Sequence, residues 1–227
     1  MRQVLESSVP AVRRSPLEGA RRGEAVGHPL AVGLAEIGPY DKLLVLGPDA
    51  ATSVGRLFGV EVPPRTVHAG AAAGRSVEVW LLAPDEALLL VEAGDSDGSP
   101  TLDAASQMSS DDVSVVDVGS AWTVLRVTGA GAPGVLAELM TVDVDPRALP
   151  PNGVVQGPLA GIRALVARRD TPTEVGYTIL VARDYASYAW ETLLKIGTAQ
   201  GLRPASPLSI TAAGPQPIGE SAAEPAR

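Results

Sequence analysis

The sequence predicts an α+β fold of two pseudo-equivalent halves, each a strand–turn–helix–strand–strand unit, with helices laid on a largely antiparallel sheet. Three observations carry this. A short β-rich run, a glycine turn and a helical period occur in that order twice, at a constant spacing of 82 positions, from Gly47 to Gly129 and from Val60 to Val142. Both occurrences close on a Val-acid-Val step, Val60-Glu61-Val62 and Val142-Asp143-Val144. Two apolar runs with turn residues between them then follow each occurrence, which is the pattern of a hairpin.

The elements follow in chain order. Residues 1–29 are polar and arginine-rich and read as an N-terminal arm. Arg13-Arg14 resembles the start of a twin-arginine export signal, but the next eight residues include Pro16, Glu18, Arg21 and Arg22, so no apolar stretch forms. The first repeat is assigned to 30–110. It opens on Leu43–Ala50, turns at Gly47-Pro48, and continues with Val54, Leu57 and Phe58 at helical spacing. Its hairpin pairs Ser76–Leu82 with Glu86–Val91 across Ala83-Pro84-Asp85. The second repeat is assigned to 111–202, with Leu125–Ala132 as strand and turn and Leu136, Leu139 and Met140 as the helical face. Its hairpin pairs Gly161–Arg168 with Gly176–Val181, and a closing helix runs from Tyr185 to Gln200 with Gly201 as its C-cap. Residues 203–227 are rich in Pro, Ala, Ser and Gly without a hydrophobic period and read as a disordered tail.

Composition narrows the function. The 227 residues carry 18 basic and 26 acidic side chains, a formal charge of −8, which argues against a general nucleic-acid binder. With no cysteine there is no disulfide framework, thiolate metal site or cysteine nucleophile, and the composition suits the cytoplasm. No run of 18 uncharged apolar residues is present, so no membrane association is expected.

Several motifs suggest chemistry that their surroundings do not support. Gly129-Ala130-Gly131-Ala132-Pro133-Gly134 fits the dinucleotide-binding pattern, yet the helix from Pro133 to Met140 is too short for the crossover such a site needs. A tight turn is the reading preferred here, with a phosphate-touching regulatory protein as a third-ranked function. Gly94-Asp95-Ser96-Asp97-Gly98 fits a hydrolase elbow, but both histidines, His28 and His68, precede it. Those histidines lie forty positions apart and make no metal site. Asp111-Asp112 reads as a solvated loop and Arg168-Arg169 as a solvated strand end. No catalytic, cofactor-binding or metal-ligating residue is assigned. Trp122, Tyr188 and Trp190 are the candidate partner-interface residues, because large aromatics anchor interfaces.

The second half resembles a known family. Val116-Asp117-Val118-Gly119-Ser120-Ala121-Trp122 running to Gly129, then Val142–Gly153 and Tyr177–Leu194, are similar to the gamma subunit of heterotetrameric sarcosine oxidase. Ser15-Pro16-Leu17 and Trp80–Glu86 fit as well, so the resemblance spans about residues 15–202. That family is related to the tetrahydrofolate-binding domain of glycine-cleavage T proteins, which implies a T-protein-like fold. The resemblance further implies a non-catalytic subunit that supports assembly. The larger alpha and beta subunits would hold FAD, FMN, NAD and tetrahydrofolate, oxidise sarcosine and pass its methyl carbon to folate. Two departures stand out. Gly161-Ile162-Arg163-Ala164 lacks the acid that T-like proteins carry after that step, and Leu139-Met140-Thr141 stand where gamma subunits commonly have a Cys. The alternative is a free-standing tetrahydrofolate-binding module or aminomethyltransferase-like protein.

Overall fold

The alternation of Tyr40-Asp41-Lys42-Leu43-Leu44-Val45-Leu46 forms a strand because Leu43 and Val45 point to one face, where Ala50 and Val54 of the next helix cover them. This arrangement recurs through a computed structural model that describes residues 15–18, 32–59, 61–72, 75–92 and 108–205. The strands are β1 (Val32–Glu36), β2 (Tyr40–Leu46), β3 (Thr66–Ala72), β4 (Arg75–Ala83), β5 (Glu86–Glu92), β6 (Ser114–Asp117), β7 (Trp122–Thr128), β8 (Val154–Leu159), β9 (Ile162–Arg168), β10 (Gly176–Ala182) and β11 (Leu202–Pro204). Among the described residues the helices are α1 (Ala50–Phe58), α2 (Ala132–Leu139) and α3 (Ala186–Gly197). No described helix is long and apolar enough to cross a membrane.

There are two sheets rather than one. They run β3-β4-β5-β2-β6 and β8-β9-β10-β7-β1-β11, antiparallel except for the β1–β11 pair. The first four strands of each are equivalent: β7 begins 82 residues after β2 (122 − 40), and α2 begins 82 after α1 (132 − 50). The fifth strands are exchanged. β1 precedes the first unit but bonds to β7 of the second, with Leu34 opposite Val127. β6 precedes the second unit but bonds to β2 of the first, with Val115 opposite Val45. Val45 and Val127 are themselves equivalent by the 82-residue spacing, so neither half carries its own complete sheet.

Four layers result. One face of the five-stranded sheet packs Leu43, Val45, Val79 and Leu89 against α1. The outer face of the six-stranded sheet packs Leu125, Val127, Ile179 and Val181 against α2 and α3, including Val135, Ala189 and Trp190. Between the sheets lie Val67, Trp80, Leu88 and Leu90 from one side and Val124, Leu165, Ala167 and Leu180 from the other. Along one margin the sheets join through main-chain bonds, Val67 N–H to Asn152 O at 2.7 Å and Val154 N–H to Arg65 O at 2.8 Å.

Both hairpins form at the expected places, and Gly201 takes the left-handed conformation after the 3₁₀ turn that ends the closing helix. Two expectations need correction. The tail does not begin at Arg203, because Leu202–Pro204 pairs in parallel with β1 and Leu202 enters the core. Its amphipathic signal is three residues long, too short to register as a period. Within the N-terminal arm, Leu17 is fully buried beside Val32 and Leu202, so the arm supplies a core residue. Thr66–Ala72 forms β3, whose pairing to β4 is made by the main chain. His28, Arg13-Arg14, Gly94–Gly98 and residues 206–227 lie outside the described residues.

Gly47 anchors the turn between β2 and α1. Its φ is +131°, and a Cβ there would sit 2.0 Å from the carbonyl oxygen of Asp112 on the approach to β6. Gly47→Ala therefore combines backbone strain with a main-chain clash that no side chain can relieve. It should destabilise the chain by about 3 kcal/mol in urea unfolding. Gly59→Ala, also left-handed but open around the site, should cost about 1 kcal/mol.

Candidate functional site

The layer between the sheets is apolar at its centre and polar at one end. The even-numbered residues of β7 face it, so Val124 packs into the centre and Arg126 reaches the polar end. Arg126 is 8% exposed. Its Nη1 donates to Thr178 Oγ1 on β10 at 2.8 Å and its Nη2 to the carbonyl of Arg169 at 2.6 Å. Its Nε is buried with no hydrogen-bond partner. Gly176 must be a glycine here, because a Cβ would lie 2.5 Å from that same carbonyl and 3.1 Å from Arg126 Nη2.

Glu78 on β4 supplies the countercharge from the opposite sheet. It accepts from Trp80 Nε1 at 3.2 Å and from Arg169 Nη2 at 2.9 Å. Arg169 also donates to Asn152 Oδ1. Burial pushes the Arg126 guanidinium below its usual range, and Glu78 acts against that shift. Tyr40, beside the same carboxylate, is pushed from 10.0 up to about 12, first by burial and then by Glu78 and Glu92. Arg168 turns the other way from Arg169. It forks onto Asp170 at 2.6 Å and donates to the carbonyls of Pro146 and Leu149 at 2.8 and 3.0 Å. The expectation of a solvated Arg168-Arg169 strand end is thus corrected: both side chains are mostly buried, and each holds an acid and main-chain or amide oxygens. The acids that pair them lie in Glu78, 91 positions away, and in a turn, so local spacing gave no signal for the first.

The three interface candidates do not form one patch. Trp122 is half-buried on the face of β7 that looks toward the other sheet. Trp190 is 2% exposed and lies in the chain's own core under α3, which removes it from any surface, and its Nε1 has no partner. Only Tyr188 stands in solvent, 48% exposed, with its hydroxyl donating to Ala160 O at 2.9 Å. Tyr185, 53% exposed and three residues earlier, joins it. Sequence reasoning missed that pairing, although the spacing of three residues was its signal.

The glycine-rich turn uses its own amides: Gly129 N–H bonds to Val175 O and Ala132 N–H to Gly129 O, both at 3.0 Å. Asp111 and Asp112 are exposed, and His68 is half-buried on β3, where burial and then Arg169 lower its pKa. Arg163 is exposed and donates to Gln156 at 3.2 Å. No three His, Asp or Glu side chains that could hold a metal come together among the described residues. A cleft of about 300 Å³ is lined by Arg65, Leu82, Val142, Val154, Val155 and Gln156. That volume is at the lower end for ligand sites, and its polar lining is one cation and one amide.

Removing the Glu78 charge should expose how much it compensates. Glu78→Gln leaves Arg169 without its paired carboxylate and removes the charge that most offsets burial at Arg126, so it should cost about 2 kcal/mol in denaturant unfolding, with a shift in Trp80 fluorescence. A second test uses pH. Tyr177, buried with its hydroxyl on Val144 O at 2.8 Å, is pushed up to about 12 chiefly by burial, as Tyr40 is. The folded state thus holds both phenols neutral beyond the unfolded value. Their contribution is complete below pH 10 and is lost as the pH climbs from 10 toward 12. Absorbance at about 295 nm should show two tyrosines titrating late, together with a falling Tm over that window.

Comparison with known proteins agrees with this architecture. The model of the GCVT N-terminal domain matches residues 24–211. Aminomethyltransferase of Streptomyces coelicolor is 30% identical over 195 residues, covering 82% of this chain and 52% of that protein. The aminomethyltransferase of Streptomyces avermitilis is 28% identical over 194 residues with the same coverage. The chain thus spans about half the length of the curated relatives it matches. Among solved structures, heterotetrameric sarcosine oxidase from Corynebacterium sp. U-96, in complex with pyrrole 2-carboxylate, superimposes with a TM-score of 0.67 at 23% identity, covering 86% of this chain and 99% of that one. Glycine cleavage system aminomethyltransferase T from Bartonella henselae gives 0.63 at 18% identity, covering 81% and 50%. The fold is the T-protein-like one that the resemblance implied, and the matched span takes in both sheets and all three described helices: the chain belongs to the GCVT N-terminal domain family.

Proposed function

We propose that this chain is a non-catalytic small subunit, of the gamma type, in a heterotetrameric flavoenzyme resembling sarcosine oxidase. The observation that carries this reading is coverage: the fold matches 99% of a chain of that heterotetramer but only half of the aminomethyltransferases. The chemistry of the polar end supports it. Glu78 and Arg169 pair across the sheets while Arg168 and Asp170 pair locally, which fits a structural clamp rather than a reactive site. In this role the chain packs against larger alpha and beta subunits and stabilises them. FAD, FMN, NAD and tetrahydrofolate are held by those partners, and the exposed pair Tyr185 and Tyr188 offers an aromatic anchor for one of them.

Identity of 30% to an aminomethyltransferase favours a second reading, a tetrahydrofolate-binding module. The residues here fit that ligand poorly. Trp80, Leu88, Leu90 and Leu180 close the space between the sheets, and the cleft beside Arg65 has no carboxylate in its lining.

A tagged chain drawn gently from native lysate should bring larger chains in fixed ratio, with flavin absorbance at about 450 nm. A colourless, monodisperse single chain overturns the subunit reading. Saturable quenching of tryptophan fluorescence by tetrahydrofolate would then support the second.

A further inference from the structure

The two sheets treat equivalent edges differently. In the six-stranded sheet the outer side of β1 is covered by β11, and Leu34 O accepts a bond from Ala205 N–H at 2.7 Å. In the five-stranded sheet the equivalent strand is β6, where Val115 stands opposite Val45 as Leu34 stands opposite Val127. Val118 N–H bonds to Lys42 O, so the antiparallel alternation turns Val116 toward β2 and leaves the N–H and C=O of Val115 and Asp117 pointing outward. Among the described residues nothing takes those groups.

The side chains around this edge specify what would fit it. Val116 is 45% exposed, and Leu46, on the neighbouring strand, is 37% exposed. Residues 108–121 carry Asp111, Asp112 and Asp117 and no lysine or arginine. We propose that β6 is a docking edge for an extended segment of another protein, added as a sixth strand, with apolar residues on one face and basic residues on the other. The chain contains its own precedent: Leu202-Arg203-Pro204 completes the equivalent edge, with a leucine inward and an arginine beside it. A second copy of this chain fits badly, because antiparallel pairing of two β6 strands would bring both sets of aspartates together. The inference stands on the sheet edge alone and survives failure of the flavoenzyme reading.

The test uses the full chain and two fluorescein-labelled hexapeptides, Arg-Val-Arg-Val-Arg-Val and Glu-Val-Glu-Val-Glu-Val, followed by anisotropy. The basic peptide should bind saturably and the acidic one at least about tenfold more weakly. Val115→Pro removes an outward N–H while sparing the bonds to β2, so it should abolish binding with Tm little changed. Should that variant fail to fold, Asp117→Lys should weaken the basic peptide and strengthen the acidic one. Hydrogen exchange should show the Val115 and Asp117 amides unprotected in the free chain and protected with peptide. The proposal is overturned by absent or charge-independent binding, by unaltered binding in either variant, or by amides already protected in the free chain. Self-association that Val115→Pro disrupts would assign the edge to a second copy and overturn it as well.

Discussion

Exchange of the fifth strand is the constraint from which the rest of the structure follows. Because β1 must reach β7 and β6 must reach β2, the chain crosses between sheets twice, and the sheets are held face to face. That juxtaposition creates the inner layer, where Trp80, Leu88 and Leu90 meet Val124, Leu165 and Leu180 with almost no exposed area. Apolar burial on this scale supplies most of the driving force. The main-chain bonds at Val67 and Val154 close the opposite margin. The helices then need to cover only the two outer faces.

A sandwich closed this way cannot be apolar to its edge, since strand ends bring carbonyls and charges with them. The polar end resolves this by matching an acid from one sheet with an arginine from the other. Glu78 and Arg169 meet across the interface, and Arg126 lies behind them on neutral acceptors. Charges placed this deep give little net stability when paired, but they fix one register of the sheets by making misaligned ones costly. Burial raises the phenol of Tyr40 beside this layer, and that of Tyr177 in the helix-covered core on the other face of the six-stranded sheet.

What the sequence made legible was whatever is encoded locally. The glycine turns, the two hairpins and the closing helix depend on periodicity and on nearby Gly and Pro, and all stand where expected. β1, β3, β8 and β11 were harder. Val32–Glu36 and Leu202–Pro204 are short, and their identity as strands comes from partners about a hundred positions away or more. The same limit applies to the site. Trp190 and Trp122 look alike in sequence, but one faces a helix-covered core and the other the space between sheets. Arg168-Arg169 reads as solvated because Glu78, the acid that pairs Arg169, lies 91 positions away, although Asp170 is adjacent in sequence. The family resemblance was legible because it rests on the order of many weak motifs rather than on any one contact.

The exchange also bears on molecularity. A single unit of this design has four strands and an uncompleted edge, and the strand that completes it belongs to the other unit. Two such units on separate chains would finish their sheets only by association, at a rate set by protein concentration. Joining them in one polypeptide replaces that second-order step with an internal search at millimolar effective concentration. It also lets the two copies diverge, one keeping an edge capped by Leu202–Pro204 and the other an acidic one, without loss of the pairing that both require.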